Sequence, residues 1–352
     1  MDYKKEIEDL VDLILKEGAS DLHLSSGRSP IIRVSGNLIP LVKKPILSDV
    51  DMKGFLHIFL GAANKELLET AKDVDFSYSL TNARFRGNAY YHQGTLSVAL
   101  RLIPKAIRTL SELNLPPILE SFTRKQQGFF LVVGPIGQGK TTTLSTMIEM
   151  INQTRTEHIL TIEDPIEYLF ESKKSIIDQR EVRFDTPDFY TALTSMFRQD
   201  MDVCMVGEMR DIATIATAVT AAETGHLVLS TLHTNNAAQT INRIIDSFPA
   251  GQQDQIRIQL AGSLTGIFSQ RLLPRISGGL IPAYELLINN TAVANLIREK
   301  RIHEVNTVIE TSSQEGMIDL NRSLAELVRS GEITVESAYT NSINPKVLEK
   351  MI

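Results

Sequence analysis

Two periodicities of apolar residues divide the first hundred positions into helical and extended segments. A helical spacing, ended by Gly18, connects four apolar residues: Ile7, Leu10, Val11 and Ile14. Alternation and hairpin signals predict five strands, over residues 20–25, 31–34, 38–41, 84–90 and 95–102. Turn residues at Ser35-Gly36-Asn37 and at Gln93-Gly94 would join two pairs of these strands. We therefore predict a small α+β domain over residues 1–100.

Strand and helix patterns alternate in the second part of the chain. Apolar strands are predicted over residues 129–133, 158–162, 203–206 and 227–230. Helices are predicted over residues 141–151 and 212–224, and beyond residue 290. A further helix is predicted to end near residue 197. Because strands that alternate with helices form mostly parallel sheets, we predict an α/β domain over residues 119–352. Prolines at positions 104, 116 and 117 mark residues 101–118 as the linker between the two domains.

Composition narrows the class of protein. The chain has 352 residues, of which 43% are hydrophobic, and a formal net charge of −6. This acidic balance, without a basic tract, argues against general nucleic-acid binding. The one cysteine, Cys204, excludes an internal disulfide and a multi-cysteine zinc site, and its apolar neighbours predict an inert core thiol. The sequence shows neither a signal peptide nor an apolar run long enough to span a membrane, so we expect a cytosolic protein without membrane insertion.

The strongest motif follows the first predicted strand of the second domain. Residues 134–141 read Gly-Pro-Ile-Gly-Gln-Gly-Lys-Thr, a complete phosphate-loop motif. Its glycines allow backbone N–H groups to surround phosphate oxygens, and the next helix adds the partial positive charge of its N-terminus. Lys140 would reach the β- and γ-phosphates, and the Thr141 hydroxyl would bind Mg²⁺. We predict that ATP binds to eight residues: Gly134, Pro135, Gly137, Gln138, Gly139, Lys140, Thr141 and Thr142.

Two acidic residues at strand ends would complete a hydrolytic site. Glu208 follows the strand at residues 203–206 and, paired with the phosphate loop, is predicted to hold Mg²⁺, through a water molecule. Glu163 follows the strand at residues 158–162 and is predicted to polarise the attacking water. Taken alone, Glu208 would be read as a solvated or helix-capping acid, and for the segment of Glu163 the alternative is that Asp164-Pro165 simply marks a turn.

Two histidines flank the predicted strand at residues 227–230. We predict that His226 and His233, with the hydroxyl groups of Thr231 and Thr234, sense the γ-phosphate from the strand end. A single histidine is more often structural, so this prediction depends on two of them occurring beside one strand.

Three ordered segments resemble motifs of the type II/IV secretion ATPase superfamily. Residues 161–168 (Thr-Ile-Glu-Asp-Pro-Ile-Glu-Tyr), 206–211 (Val-Gly-Glu-Met-Arg-Asp) and 225–235 (Gly-His-Leu-Val-Leu-Ser-Thr-Leu-His-Thr-Asn) are similar to its Asp box, Walker B motif and His box. Within it, the chain resembles the type IV pilus retraction (PilT) family. It lacks the four-cysteine module of the assembly ATPases, and residues 292–299, Ala-Val-Ala-Asn-Leu-Ile-Arg-Glu, are similar to the C-terminal motif of retraction ATPases.

The resemblance implies a PAS-like N-terminal domain, a RecA-like ATPase domain with a helical C-terminal part, and a homohexameric ring that hydrolyses ATP with Mg²⁺. It implies that ATP lies between the two domains and that Arg86 and Arg101 neutralise phosphate charge as arginine fingers do. It also implies an inner-membrane platform protein as partner, indirect action on the pilin filament, and a cytoplasmic location at the inner face of the membrane. Hydrolysis would drive domain rotations about the linker, and these would retract the pilus.

A few residues depart from the family pattern, so other functions than pilus retraction stay open. In the phosphate loop, Ile136 and Gln138 stand where threonine and serine are common, and Met201 replaces a usual proline. Ala294 replaces the arginine of the C-terminal motif, which is tied to retraction rather than to hydrolysis. An assembly, secretion or accessory pilus ATPase of the same superfamily therefore stays an alternative. A nucleic-acid translocating motor and a non-hydrolysing nucleotide-binding regulator are the other two.

Overall fold

The computed structural model describes residues 2–34, 36–81, 83–104 and 106–352, except for the side chain of Ala63. The chain divides into two compact units, Met1–Lys105 and Ala106–Ile352. Ser35 of the predicted hairpin and Lys105 of the predicted linker lie outside the described residues. No helix in the described ranges is both long enough and apolar enough to cross a membrane.

Within the described residues, the first unit is a six-stranded antiparallel sheet with helices packed against it. Its elements are α1 (Tyr3–Glu17), β1 (Asp21–Ser25), β2 (Ile31–Val34), β3 (Asn37–Pro40), α2 (Asp49–Phe59), α3 (Ala62–Ala71), β4 (Asp73–Ser79), β5 (Arg84–His92) and β6 (Thr95–Ile103). The strand order is β3-β2-β1-β6-β5-β4, with every neighbouring pair antiparallel. The α+β class predicted for this part of the chain is confirmed.

Of α1, α2 and α3, the sequence predictions include only α1. The Asp2 side chain accepts a hydrogen bond from the Lys5 N–H at 3.3 Å, and Gly18 ends the helix in the left-handed conformation. The apolar face predicted for α1 is buried in the core of the unit. Helix α2 has the same spacing of buried apolar residues, at Met52, Phe55, Leu56 and Phe59, and begins with a capping box at Ser48, so its sequence does indicate a helix. The apolar residues of α3 follow the helical period less regularly. Strand β6 continues to Ile103, past residue 100.

The second unit contains a seven-stranded sheet and the remaining helices. Its elements are α4 (Leu119–Thr123), β7 (Gly128–Val133), α5 (Lys140–Thr154), β8 (His158–Glu163), β9 (Ile176–Glu181), α6 (Phe189–Met196), β10 (Val203–Val206), α7 (Ile212–Glu223), β11 (Leu227–Leu232), α8 (Ala237–Asp246), α9 (Ala250–Ser263), β12 (Leu264–Pro274), β13 (Leu280–Ile288), α10 (Thr291–Arg298), α11 (Val305–Thr311), α12 (Leu320–Arg329), α13 (Val335–Asn341) and α14 (Pro345–Glu349). The strand order is β13-β12-β7-β11-β10-β8-β9, parallel except for β13. The predicted mostly parallel α/β sheet is confirmed.

The central strands of this sheet are buried on both faces. Every residue of β7, β10 and β11 is buried, as expected for parallel strands between two layers of helices. Cys204, in β10, is buried and unpaired, and burial raises the pKa of its thiol to about 12. The thiol is therefore protonated and packs as the predicted small apolar group. Leu110 and Leu115, from the segment predicted as linker, also pack in this unit.

Strands β9, β12 and β13 are not predicted by the periodicity. The edge strand β9 reads Ile-Ile-Asp-Gln-Arg-Glu, which does not alternate regularly. Helix α9 ends at Ser263 and β12 begins at the next residue, so no loop signals the change of structure. The sheet is consequently wider than the sequence pattern indicates.

Strand direction gives the sheet two chemically different edges. At the carboxyl edge, β7 leads into the phosphate loop, β8 ends at Glu163, β10 is followed by Glu208, and β11 is followed by His233. At the amino edge lie the starts of the same strands. Ligand sites of parallel α/β sheets form at the carboxyl edge, so the fold brings the predicted acids and the phosphate loop to one place.

Candidate nucleotide-binding site

The phosphate loop occupies residues 134–139, between β7 and α5. Gly139 precedes α5 with a φ of 78°, in the left-handed region that glycine favours, and no side chain among the described residues caps this helix. The first N–H groups of α5 therefore remain available to an anion. The buried Lys140 ammonium group donates to the carbonyl oxygens of Gly134 at 2.9 Å and of Pro135 at 2.8 Å. Burial lowers the pKa of Lys140 from its usual range.

A cavity of about 360 Å³ lies beside the loop at the carboxyl edge. The predicted site residues that line it are Gly137, Gln138, Gly139, Lys140, Thr141, Thr142, Glu163, Glu208 and His233. Gly134 and Pro135 are not among the residues that line the cavity, but their carbonyl oxygens accept hydrogen bonds from Lys140, which lines it. The structure thus brings together the loop, both predicted acids and one predicted histidine.

His233 connects the phosphate-loop lysine with Glu208. Its Nδ1 lies 3.3 Å from Lys140 Nζ, and its Nε2 lies 3.6 Å from a carboxylate oxygen of Glu208. Because an ammonium group only donates, Nδ1 accepts, and the neutral ring carries its proton on Nε2, facing Glu208. Burial and the charge of Lys140 lower the pKa of His233, so the ring is neutral at pH 7. Glu208 also forms an ion pair with Arg210.

Glu163 is enclosed at the end of β8, with 2% of its surface exposed. Its Oε1 accepts hydrogen bonds from the Thr161 hydroxyl at 2.7 Å and from the Gln179 amide at 3.2 Å. Its Oε2 accepts from the Glu167 N–H at 3.3 Å. Burial outweighs these hydrogen bonds and raises the pKa of Glu163 to about 7. A carboxyl group with a pKa near neutral is suited to accept a proton from water.

Two threonines predicted to act with the histidines have different positions. The Thr231 hydroxyl donates to the Gly207 carbonyl at 2.6 Å and lines the cavity, so it holds the backbone before Glu208. The Thr234 hydroxyl lies 2.6 Å from the Thr240 hydroxyl, and both residues are buried. The hydroxyl of Thr234 is therefore directed to α8 rather than to the cavity.

His226 lies at the opposite edge of the sheet from the cavity. Its carbonyl accepts from the Gly128 N–H at 3.0 Å, at the amino end of β7. Its Nδ1 lies 3.0 Å from the Ala221 carbonyl, and its ring packs edge-on against Phe197. The six residues of β11 span roughly 20 Å, and a parallel strand carries its two flanking residues to opposite edges. Within one chain the structure therefore does not bring His226 to the cavity beside His233, and a role of His226 toward the γ-phosphate stays a prediction.

Arg86 and Arg101 lie in the first unit. They are opposite each other on the neighbouring strands β5 and β6. The Arg101 guanidinium donates from Nε to the Asp21 carboxylate at 2.8 Å. Their role toward the phosphates stays a prediction.

Two residues of β12 contact the phosphate loop without any sequence signal. Gln270 Nε2 donates to the Gln138 carbonyl at 2.8 Å, and the Leu272 N–H donates to Gln138 Oε1 at 2.6 Å. These partners are 132 and 134 positions apart in the chain, so only the strand register identifies them. Asp164, Glu167 and Phe189 also line the cavity. The acidic segment at residues 161–168 points to the first two, but nothing in the sequence points to Phe189.

The groups around the cavity fit a nucleotide phosphate and Mg²⁺. Backbone N–H groups of the loop and the Lys140 ammonium complement a phosphate. The Thr141 hydroxyl and the Glu208 carboxylate, which also line the cavity, are oxygen groups of the kind that Mg²⁺ and its bound water prefer. A phosphate loop at the carboxyl edge of a parallel sheet, with strand-end acids beside it, defines a P-loop nucleoside triphosphatase.

Comparison with known proteins identifies the family. Residues 3–281 match the family model of the type II/IV secretion system proteins, and the chain belongs to that family. The chain is 41% identical to the type IV pilus retraction ATPase PilT of Pseudomonas aeruginosa, over 97% of this chain and 99% of that protein. It is 44% identical to a twitching motility protein of Neisseria gonorrhoeae, over 90% of this chain and 85% of that protein.

Solved structures agree with this assignment. A crystal structure of the pilus retraction motor PilT with bound ADP matches with a TM-score of 0.91 and 44% identity, covering 97% of this chain and 98% of that one. The ATPase DotB of Legionella pneumophila matches with a TM-score of 0.84 and 25% identity, covering 95% and 94%. The chain is an ATPase of this family, and the predicted family resemblance is confirmed.

Proposed function

We propose that this chain is the motor ATPase that powers retraction of type IV pili. One observation carries the proposal: a phosphate loop and two strand-end acids line one cavity in a chain that is 41% identical, over 97% of its length, to a pilus retraction ATPase. ATP hydrolysis supplies the free energy, and the residues around the cavity respond to the state of the phosphates.

The eight residues predicted above, in the phosphate loop and at the start of α5, bind the nucleotide. Lys140 exchanges its hydrogen bonds to two loop carbonyls for charge-assisted bonds to phosphate oxygens, which are stronger. His233 contacts both Lys140 and Glu208, so it senses any movement of these groups when the γ-phosphate arrives or leaves.

Hydrolysis is carried by the acids at the strand ends. Thr141 and Glu208 would hold Mg²⁺, Glu208 through a water molecule, and the bound ion neutralises phosphate charge. Glu163 takes a proton from the attacking water at its carboxylate, and with a pKa of about 7 a substantial fraction of this group is ionised near neutral pH. Arg86 and Arg101 supply further positive charge to the phosphates.

The ATPase works as a homohexameric ring at the cytoplasmic face of the inner membrane. Its partner is the inner-membrane platform protein, through which it acts on the pilin filament, and it uses no nucleic acid. Nucleotide turnover changes the arrangement of the two domains about the segment from Pro104 to Pro117.

A gene deletion tests this function directly. Deletion in the source organism is expected to increase the number of surface pili and to abolish twitching. Complementation with the wild-type gene restores both phenotypes, whereas the Lys140→Ala variant, expressed at the same level, restores neither. Loss of surface pili after deletion would contradict retraction and indicate an assembly motor.

A second candidate is an accessory pilus ATPase. Ala294, buried in α10, replaces the arginine of the retraction motif, and the chain is 37% identical to the type IV pilus ATPase PilU of Pseudomonas aeruginosa over 99% of this chain and 91% of that protein. In that case deletion would impair twitching while the number of pili stays unchanged.

A further inference from the structure

Strand β12 extends beyond the end of its parallel neighbour β7. The pairing of the two strands runs from Leu264 opposite Phe129 to Ser269 opposite Val133, the last residue of β7. Residues 270–274 continue β12 and stay paired with β13 on the other side. Their inner edge therefore faces the phosphate loop, which follows β7, instead of a strand.

Hydrogen bonds attach the phosphate loop to this projecting end of β12. The Leu272 N–H donates to Gln138 Oε1 at 2.6 Å, and Gln270 Nε2 donates to the Gln138 carbonyl at 2.8 Å. The oxygen of the same Gln270 amide accepts from the Thr143 hydroxyl at 2.7 Å. Gln270 is 3% exposed, so water does not compete for these bonds. One buried amide thus joins β12, the phosphate loop and α5.

The first residue of the loop approaches the same strand. A Cβ atom on Gly134 would lie 2.4 Å from the backbone oxygen of Gln270, and the φ of Gly134 is +149°. Any other residue here would collide with the strand backbone. The backbone of β12 therefore packs against the first residue of the loop, Gly134. Gln138 and Gln270 make their hydrogen bonds near the last residue of the loop.

We propose that Gln138 and Gln270 form a clamp that holds the phosphate loop in its binding shape before the nucleotide arrives, and that these positioning residues set nucleotide affinity. The proposal rests on the nucleotide-binding function proposed above. A loop that must converge its N–H groups on a phosphate loses conformational entropy on binding unless other contacts already order it. The clamp provides that order in the free protein.

The side chain of Gln138 makes a contact that serine, common at this position in the family, does not reach. A serine hydroxyl oxygen is one bond from Cβ, whereas Oε1 of glutamine is three bonds from it. From the same backbone position, serine would leave the Leu272 N–H without this acceptor. Glutamine at position 138, which departs from the family pattern, therefore adds a hydrogen bond between the phosphate loop and the backbone of β12.

Nucleotide binding by the purified full-length chain tests the clamp. The variants are Gln138→Ser, Gln138→Met and Gln270→Met, because methionine matches the length of glutamine but has no amide. The Kd for ADP is expected to rise about threefold to tenfold in the two Gln138 variants, which lose one hydrogen bond, and at least as much in Gln270→Met, which loses two. The KM for ATP is expected to rise by a larger factor than kcat falls. Gln255→Met, exposed on α9, is the matched control and should bind ADP as the wild type does.

Hydrogen exchange distinguishes the clamp from a general loss of stability. In both Gln138 variants the Leu272 N–H is expected to lose protection, while the amides of β11 keep theirs. Wild-type ADP affinity in folded Gln138→Ser and Gln138→Met would overturn the clamp and leave the proposed function intact. If Gln270→Met does not fold, the two Gln138 variants decide. A wild-type chain that binds no ADP would overturn the proposed function together with the clamp.

Discussion

The two edges of the seven-stranded sheet carry similar residues in different settings. Strand β8 begins at His158 and ends at Glu163, and β11 lies between His226 and His233. At the carboxyl edge, Glu163 and His233 line a cavity. At the amino edge, the His158 and His226 rings lie within hydrogen-bond distance of backbone carbonyls. Position along a parallel strand therefore decides what these residue types can do.

The pKa values of His233, at the carboxyl edge, and of His158, at the amino edge, shift in opposite directions. Burial and the charge of Lys140 lower the pKa of His233. Burial acts in the same direction on His158, but hydrogen bonds to Asp178 and to the carbonyls of Asp200 and Gln199 outweigh it and raise the pKa. The His233 ring is neutral and faces the phosphate-loop lysine, whereas the His158 ring is stabilised as a cation by its hydrogen-bond partners.

Removal of the carboxyl group at the end of β8 is expected to have the largest effect. Glu163→Gln keeps the size of the side chain and can still accept from Thr161, but it cannot take a proton from water. We expect kcat for ATP hydrolysis to fall by about 10²–10⁴-fold, measured as phosphate release at saturating ATP. Glu157→Gln, just before β8 at the amino edge, is the matched control and should retain kcat. A Glu163→Gln enzyme within about tenfold of wild type would place the general base elsewhere.

The pH dependence of hydrolysis should report the same buried acid. Because burial raises the pKa of Glu163 from 4.5 to about 7, kcat is expected to rise about tenfold per pH unit up to pH 7 and then level off. The effect on stability has the opposite sign: this carboxyl stabilises the fold below pH 4.5, and that contribution is lost as the pH rises through about 7. Rates measured between about pH 5.5 and 9 check the first expectation. A wild-type profile that is flat below pH 7 would contradict it.

Substitution of the two histidines that flank β11 compares the two edges directly, and its expected effect on kcat is smaller than that of Glu163→Gln. His233→Ala removes a group in contact with Lys140 and Glu208, so kcat is expected to fall about tenfold to a hundredfold. His226→Ala removes a hydrogen bond to Ala221 at the amino edge, so stability should fall by about 1 kcal/mol while kcat is retained. Steady-state kinetics and thermal unfolding of both variants separate these effects. An equal loss of kcat in His226→Ala would show that His226 acts at a nucleotide outside its own chain.

Contiguous signals in the sequence predicted most of the candidate site. Phosphate binding requires consecutive backbone N–H groups, so the loop at residues 134–141 appears as one motif. Glu163 and Glu208 each end or follow an apolar strand, and parallel strands place their carboxyl ends at one edge. The apolar strand pattern and the parallel direction of the strands were therefore sufficient to predict that these acids lie beside the phosphate loop.

Other features depend on register or direction that local patterns do not contain. His226 and His233 are near in sequence, but the direction of β11 separates them across the sheet. The contacts of Gln270 and Leu272 with Gln138 arise only once β12 pairs with β7 and passes its end. No loop marks the start of β12 after α9, so even the strand itself has no sequence signal.

The smallest expected effect concerns the ion pair of His158 at the amino edge. The pair with Asp178 spans 3.0 Å, and the Asp178 side chain is 64% exposed, so solvent screens it. Because the folded-state pKa of His158 is raised, the stabilisation is complete below pH 6.5 and is lost as the pH rises through that pKa. Asp178→Asn should therefore lower the free energy of unfolding by less than about 1 kcal/mol at pH 5.5 and by still less at pH 8.5, with kcat unchanged.

Thermal unfolding at both pH values measures this loss of stability, with Glu310→Gln on α11 as the exposed control. A larger cost at pH 8.5 than at pH 5.5 would contradict a charged His158, and a fall in kcat would show that the amino edge takes part in hydrolysis.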